Sequence, residues 1–256
     1  MVYDIVIVGA GMAGLTAAIY AGRAGKKVLV LERGAHGGQI ITSQDVSNWP
    51  GIPGITGAEL MERVYDQAKA QDVDFEYVDI DKIEKDGVIF KVCGEDETFE
   101  AKSVILAMGT VPRKLSEKQA ADAGDRPVSY CATCDGALYK GKPVVVVGSG
   151  NTAKHEMNYL EGICSKVYHI HHDDPIPEDA AAVFVAIGRV PGAGFLKDLV
   201  DVDEKGFVIA GEDCKTSEPG VFVAGDCRTK PLHQLVTAAA DGAVAVAAAT
   251  EYLEDK

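Results

Sequence analysis

The chain has 256 residues, of which 47% are hydrophobic and 25% charged, as is ordinary for one large or two modest globular domains. Its net charge of −14 argues against binding nucleic acid through phosphate contacts. No apolar run is long enough to span a bilayer, and the first residues lack the pattern of a secretory signal. We therefore expect a cytoplasmic protein that acts neither on nucleic acid nor within a membrane.

Residues 3–33 have the pattern of a βαβ unit with a nucleotide-binding loop. Buried strands are predicted at 3–8 and 27–31, with an alanine-rich helix between them. The loop at 9–14 has the form Gly-x-Gly-x-x-Gly, which lets the backbone approach a pyrophosphate at a helix N-terminus. Glu32 follows Gly14 by 18 positions, where a carboxylate can accept hydrogen bonds from ribose hydroxyls. The alternative, a glycine-rich turn in an ordinary α/β domain, leaves Glu32 unexplained.

A second βαβ unit begins at Lys142 and is followed by too little chain for a complete domain. Its strands are predicted at 143–147 and 166–170, around a glycine loop at 148–153 and a helix at 152–161. After a short acidic segment, 173–178, a new strand is predicted at 182–186. A doubly wound dinucleotide domain needs a second unit of roughly 30 residues or more. The sequence therefore predicts half of such a fold.

The C-terminal part returns to the alternation of strands and turns. Strands are predicted at 206–209 and 220–224. The alanine-rich segment 235–253 is predicted to be a tightly packed helix and not a linker.

Two of the six cysteines, Cys131 and Cys134, form a Cys-x-x-Cys motif between the two glycine loops. Such a pair at a helix N-terminus favours a lowered thiol pKa and a readily exchanged disulfide. The alternative is a structural zinc site, which needs four ligands and usually a second such pair that this sequence lacks. The remaining cysteines are expected to be buried thiols: Cys93, Cys164, Cys214 and Cys227.

Six motifs along the chain together resemble the low-molecular-weight thioredoxin reductases, a branch of the flavin disulfide oxidoreductases. They are the loop 9–14 with Glu32, Gly37-Gly38-Gln39, Asn48-Trp49-Pro50-Gly51, Cys131-Ala132-Thr133-Cys134-Asp135-Gly136, the segment 183–188, and Ala224-Gly225-Asp226. The resemblance covers nearly the whole chain. It implies an α/β fold with a discontinuous, three-layer, Rossmann-like FAD domain at 1–112 and 183–256. A shortened NAD(P)-type domain at 113–182 would be inserted in it and carry the redox-active disulfide.

The resemblance also implies the roles of individual residues. Cys131 and Cys134 would be the redox pair, with Cys134 nearer the flavin, and Asp135 would act as acid or base for the thiolates. The alternative for Asp135 is a helix N-cap or first-turn carboxylate. No metal is implied. The residues that would bind FAD are Gly9, Gly11, Ala13, Gly14, Glu32, Gly38, Gln39, Asn48, Gly109, Asp226 and Gln234.

By the same resemblance, the protein would reduce the disulfide of a thioredoxin-like partner. Electrons would pass from a donor to FAD, then to the cysteine pair and then to the partner. A homodimer is also expected from the resemblance. A non-catalytic flavoprotein that uses the cysteine pair as a redox sensor is the alternative, which explains the intact Cys-Ala-Thr-Cys-Asp less economically.

The donor side departs from the NADPH-dependent members of the family. Where those members carry an arginine-rich segment that binds the 2′-phosphate, this chain has His171-His172-Asp173-Asp174. The two carboxylates repel a phosphate, and neutral histidines bind it poorly. We therefore expect another donor, such as reduced ferredoxin or a reduced deazaflavin. The alternative is NADPH or NADH at a reduced site, and an engineered deletion would also explain the gap.

The histidines of this segment invite a metal-site interpretation, together with His169 on the preceding strand. The end of a strand followed by an acidic turn explains the same residues, and we favour that interpretation.

Overall fold

The computed structural model describes residues 1–192 and 194–255, without the side chain of Asn151. The chain forms two compact units. The flanking unit consists of Met1–Thr110 and Pro191–Lys256, and the inserted unit of Val111–Val190. The sequence prediction ended the insertion at 182, whereas in the structure it extends to Val190, because the strand Val183–Val185 pairs within the inserted unit.

The elements follow the predicted alternation of strands and helices. The strands are β1 (Val2–Val8), β2 (Val28–Glu32), β3 (Asp74–Tyr77), β4 (Ile80–Asp86), β5 (Ile89–Gly94), β6 (Thr98–Leu106), β7 (Thr110–Pro112), β8 (Val128–Ser129), β9 (Pro143–Val147), β10 (Lys166–Ile170), β11 (Val183–Val185), β12 (Arg189–Pro191) and β13 (Val221–Val223). The helices are α1 (Met12–Arg23), α2 (Gly57–Lys69), α3 (Glu117–Ala123), α4 (Ala132–Asp135), α5 (Asn151–Glu161) and α6 (Leu235–Glu254).

The flanking unit is built on a sheet of order β3-β2-β1-β6-β5-β4, with β13 also paired to β6. β1 lies parallel to β2 and β6, and Val8 is level with both Leu31 and Leu106. These strands are buried on both faces, which is why the sequence shows them as continuous apolar runs. The carboxyl ends of three parallel strands therefore meet at one edge of the sheet.

Helices α1 and α6 pack closely on one face of this sheet. A Cβ added to Gly242 of α6 would lie 2.3 Å from the carbonyl oxygen of Ala13 in α1, so the two backbones touch at this point. The small residues of the C-terminal segment are thus required by helix packing, as predicted. Among the described residues, the structure contains no helix with the length and apolar character needed to cross a lipid bilayer.

The strands β4, β5 and β6 form an antiparallel extension of the sheet that the sequence analysis did not predict. β4 exposes most of its residues and so lacks a continuous apolar run. The strand predicted at 206–209 is not formed either. Val208 makes only isolated bridges, to Val202 and Arg228.

The inserted unit contains a parallel sheet of order β10-β9-β11-β8. Helix α5 connects β9 to β10, as a βαβ unit requires. Residues 171–182 then lead to β11 without forming a helix or strand, which agrees with the predicted absence of a second βαβ unit. β7 and β12, where the chain enters and leaves this unit, pair with each other.

A buried ionic cluster joins α6 to the segment after β13. Both oxygens of Asp241 are bonded to Arg228, whose Nε and Nη2 each donate over 2.9 Å. Lys230 Nζ donates to Asp241 Oδ2 over 2.8 Å, and the backbone N–H of Gly225 donates to it over 2.9 Å. Burial opposes ionisation of Asp241, but the bonds from Arg228 and Lys230 outweigh it and hold the pKa of this carboxyl below its usual value.

Replacing Asp241 by Asn should lower the free energy of unfolding by about 3–5 kcal/mol, because it leaves buried cations without their anion. Urea unfolding of the purified protein measures the change. Lys215→Ala, which breaks an exposed ion pair to Glu251, is the control and should have little effect. Equal effects of the two substitutions would show that the cluster does not stabilise the fold.

The stabilisation that Asp241 gives to the folded protein depends on pH. Because the folded-state pKa of Asp241 is depressed, its contribution is present above the unfolded-state pKa and is lost as the pH falls through the folded-state pKa. The difference in stability between wild type and Asp241→Asn should therefore shrink in acid.

Candidate functional site

The first glycine loop connects β1 to α1 at the carboxyl end of the sheet. Gly9 has φ +106°, and a Cβ there would lie 2.5 Å from the carbonyl oxygen of Ala107. A Cβ on Gly14 would lie 1.8 Å from the carbonyl oxygen of Gly9. At Gly11, by contrast, no atom of the described residues lies within 4 Å of that position. The fold itself requires Gly9 and Gly14, whereas Gly11 leaves an open space at the start of α1.

Glu32 lies at the end of β2 and fixes the conformation of this loop. Its Oε2 accepts a hydrogen bond from the backbone N–H of Ala10 over 2.8 Å, and its Oε1 accepts one from Gly34 over 3.1 Å. The carboxylate is half-buried and retains acceptor capacity beyond these two bonds. The structure thus places Glu32 beside the glycine loop, where the spacing predicted it.

The structure brings other predicted residues to the same edge. Gly38 has φ +68°, and a Cβ there would lie 3.3 Å from Cα of Gly11, so the two glycines are neighbours. Gln39 follows on the same turn and is exposed. Gly109, with φ +63°, follows β6 on a side where the described residues leave open space.

Asp226 holds the clearest sign of a missing partner. Its Oδ1 is buried and has no hydrogen-bond partner among the residues that the structure describes. The preceding Gly225 packs against Ala13 of α1, where a Cβ would come within 2.8 Å of the alanine side chain. A buried acceptor without a donor is costly, so this position suits a ligand that carries hydroxyl groups. The cradle at Gly11 and this oxygen fit a dinucleotide such as FAD.

Asn48 and Gln234 also come together, although they are far apart in the sequence. The Nδ2 of Asn48 donates to Oε1 of Gln234 over 3.1 Å. Gln234 is the N-cap of α6, and Thr237 completes a capping box with it.

The two cysteines of the inserted unit form a disulfide at the start of α4. Their Cα atoms are 5.3 Å apart, and both residues are half-buried, so the bond remains accessible. The other four cysteines are free thiols, as predicted, but only Cys214 and Cys227 are buried, whereas Cys93 and Cys164 are partly exposed. Burial raises the pKa of Cys214 and Cys227 to about 12, which leaves these thiols unreactive.

Asp135 belongs to the same turn and is held by a serine. The hydroxyl of Ser129 donates to Oδ2 of Asp135 over 2.6 Å, and its oxygen accepts from the backbone N–H of Cys131 over 3.1 Å. The carboxylate is therefore connected through one hydroxyl group to the backbone N–H of the first cysteine. These bonds hold Asp135 on the turn that carries the cysteine pair.

The sequence analysis missed Glu156, which also reaches this turn. Its Oε2 accepts a hydrogen bond from the backbone N–H of Ala132 over 2.9 Å. Glu156 lies on α5, 24 positions after Ala132, and no spacing rule connects a helix residue to a turn so far away. Only the packing of α5 against α4 places it there.

The second glycine loop repeats the geometry of the first. Gly148 has φ +147°, and a Cβ there would lie 2.4 Å from the carbonyl oxygen of Ala186, while Gly150 faces open space among the described residues. The N–H of Gly148 donates to Ile170 over 3.0 Å, as that of Gly9 donates to Leu31 over 2.7 Å. His171 therefore occupies the position that Glu32 has in the first unit.

Histidine groups replace the usual acid around this loop. Nε2 of His169 donates to the carbonyl oxygen of Gly148 over 2.6 Å. The turn after β10 is exposed and closed by a bond from the backbone N–H of His171 to Oδ2 of Asp174, 2.9 Å long. The described residues contain no cluster of three or more His, Cys, Asp or Glu suited to hold a metal ion.

Comparison with known proteins identifies the family. The model of the pyridine nucleotide-disulphide oxidoreductases matches residues 3–178 and 171–243. A thioredoxin reductase of Listeria innocua is 34% identical over 303 aligned positions, which cover 99% of this chain and 95% of that protein. The crystal structure of thioredoxin reductase from Streptococcus pyogenes superposes with a TM-score of 0.92 at 33% identity, covering 100% of this chain and 99% of the other.

A second solved structure with a similar fold is named for a ferredoxin donor. A ferredoxin-flavin thioredoxin reductase from Clostridium acetobutylicum is 28% identical, with a TM-score of 0.65, and the match covers 100% of this chain and 98% of that one. The α/β, Rossmann-like fold predicted from the sequence is confirmed by these matches. The chain belongs to the pyridine nucleotide-disulphide oxidoreductases, as a member of the low-molecular-weight thioredoxin reductase family, and is an FAD-binding oxidoreductase.

Proposed function

We propose that this protein reduces the disulfide of a thioredoxin-like partner through Cys131 and Cys134. The observation that carries the proposal is the half-buried Cys131–Cys134 disulfide, with the carboxylate of Asp135 held on the same turn by Ser129. The names of the relatives support the same partner class. A homodimer and a cytoplasmic location stay predictions.

The open cradle of the flanking unit is the proposed FAD site. Gly9, Gly11, Ala13 and Gly14 would hold the pyrophosphate at the N-terminus of α1, and Glu32 the adenosine ribose. Oδ1 of Asp226 would accept a hydrogen bond from a hydroxyl group of the ribityl chain. The remaining residues would line the flavin end and its approach: Gly38, Gln39, Asn48, Gly109 and Gln234. FAD supplies two-electron transfer between the donor and the disulfide when it is bound.

The cysteine pair completes the proposed reaction. Two electrons break the S–S bond, and the sulfurs then carry two protons, or one proton and one negative charge. The thiolate attacks the partner disulfide to form a mixed disulfide, which the second sulfur resolves to release the reduced partner. Asp135, held on the same turn by Ser129, would act as acid or base for the thiolates.

For the electron donor, we propose a carrier other than NADPH, such as reduced ferredoxin. His171 stands where a ribose-binding acid would be, and Asp173 and Asp174 lie exposed beside it, where they would repel a 2′-phosphate. The alignment to the Listeria innocua relative has 303 positions against 256 residues here, so at least 47 positions, the difference, have no counterpart in this chain. This shortening is consistent with the four-stranded inserted sheet.

A nicotinamide donor is the second candidate, and one observation favours it. In the second glycine loop the fold itself requires Gly148. The described residues also leave an open space at Gly150, and the fold alone does not require that space. NADPH or NADH bound there would be held by the loop, with His171 in the position of the ribose-binding acid.

Gly11→Ala should lower the affinity for FAD about ten-fold or more, because overpacking by one methyl group costs about 1–3 kcal/mol. The fold should remain, since the described residues leave that space open. Flavin absorbance per protein and an FAD titration measure the loss. Gly150→Ala makes the same change in the second loop and should keep full flavin content. Equal flavin content in both variants would contradict the assigned cradle.

Cys134→Ser and Cys131→Ser should each abolish reduction of thioredoxin, by at least about a thousand-fold, because one sulfur alone cannot form and resolve the disulfide. Cys164→Ser, which removes a half-buried free thiol of the same unit, should retain activity. The assay follows NADPH-independent reduction of thioredoxin with a chemically reduced donor. Full activity in either active-pair variant would refute the mechanism.

The donor can be identified by anaerobic bleaching of the flavin absorbance. Reduced ferredoxin should bleach the flavin rapidly. NADPH at equal concentration should act slowly because Asp173 and Asp174 would repel its 2′-phosphate, and NADH because His171 stands in place of the ribose-binding acid. Rapid bleaching by NADPH at micromolar levels would establish the nicotinamide alternative.

A further inference from the structure

The residues 131–135, which carry the cysteine pair, form a turn called here the redox turn. Glu156 is a carboxylate at this turn that has no role in the proposed reaction. Its Oε2 accepts from the N–H of Ala132, the residue directly after Cys131, and Ala132 is fully buried. The bond holds α4 to α5 within the inserted unit. It also fixes a negative charge one residue from the disulfide.

The charged groups that face Glu156 are Asp135 on the redox turn and Arg189 on β12. Burial raises the pKa of Glu156, the Ala132 N–H and Arg189 oppose this, and Asp135 adds to it. Asp135 is bonded to Ser129, whereas Glu156 is bonded directly to the backbone between the cysteines. The two carboxylates are therefore held on this turn by different hydrogen-bond partners.

Opening the disulfide creates negative charge beside Glu156. The S–S bond takes two electrons, and any sulfur that stays a thiolate is repelled by a nearby carboxylate. In addition, the Ala132 N–H is already occupied and is not available to stabilise that thiolate. Both effects disfavour the ionised reduced pair relative to the disulfide, and so lower its reduction potential.

We propose that Glu156 is a positioning residue that anchors the redox turn and, by its negative charge, disfavours thiolate on the reduced pair and makes the pair a stronger reductant. The inference rests on the proposed function in that Cys131 and Cys134 are the redox pair. It explains why a half-buried carboxylate is bonded to the backbone between two cysteines that must deliver electrons to another disulfide.

The test compares Glu156→Gln, Glu156→Ala and wild type, all as full-length flavin-loaded protein. The glutamine retains an oxygen acceptor for the Ala132 N–H and removes only the charge. Glu161→Gln removes an exposed carboxylate from the same helix and is the matched control. After reduction, the rate of alkylation by iodoacetamide is measured against pH at Cys131 and Cys134, by mass spectrometry of the peptides.

In Glu156→Gln the apparent thiol pKa should fall by about one unit, which is about ten-fold more thiolate at a given pH below the pKa. The equilibrium with glutathione at alkaline pH should shift towards the reduced pair by up to about ten-fold, or about 30 mV. In that equilibrium two glutathione thiols supply two electrons and two protons and become glutathione disulfide. Glu161→Gln should match wild type in both measurements.

An unchanged pKa and equilibrium in Glu156→Gln, including the case in which only Glu156→Ala has an effect, would overturn the inference and leave the proposed function standing. Failure of the wild-type pair to exchange with glutathione at any ratio would overturn both.

Discussion

The ionic cluster around Asp241 is the interaction that fixes the segment after β13 against α6 in the flanking unit. From α6 it binds Gly225, Arg228 and Lys230, which follow β13. The side chain of Arg228 is only 2% exposed, so water cannot replace Asp241 as the partner of its charge. Because Gly225 also packs on Ala13, this cluster determines where Asp226 lies relative to the first glycine loop.

The two glycine loops show one backbone solution used twice. In each, the first glycine lies against the carbonyl of the adjacent strand's end, Ala107 for Gly9 and Ala186 for Gly148, and the third position of the motif faces open space. The loops diverge at the next strand. Glu32 secures its own loop by accepting from Ala10, whereas His169 donates to Gly148 and His171 occupies the acid's position. The same backbone arrangement thus has a carboxylate beside the first loop and a histidine in the equivalent position beside the second.

Much of this could be predicted from the sequence, because parallel strands buried on both faces appear as apolar runs and glycine loops have a fixed spacing. The strand Val183–Val185 was predicted, but an apolar run does not show which sheet it joins, and so the domain boundary was placed eight residues too early. Strand β4 was not predicted because exposed polar residues make up most of it. Glu156 could not be found, because its role arises from helix packing and not from any local pattern.

If FAD and the disulfide exchange electrons in series, the flavin-loaded protein must take up electrons at both groups. Anaerobic titration of the flavin-loaded protein with dithionite, followed by flavin absorbance, measures it directly. Wild type should take up two electrons for the flavin and two for the Cys131–Cys134 disulfide, so it should consume twice as much reductant as the variant with both cysteines replaced by Ser. Equal consumption by the two proteins would show that the disulfide does not exchange electrons with the flavin, and the account would be wrong.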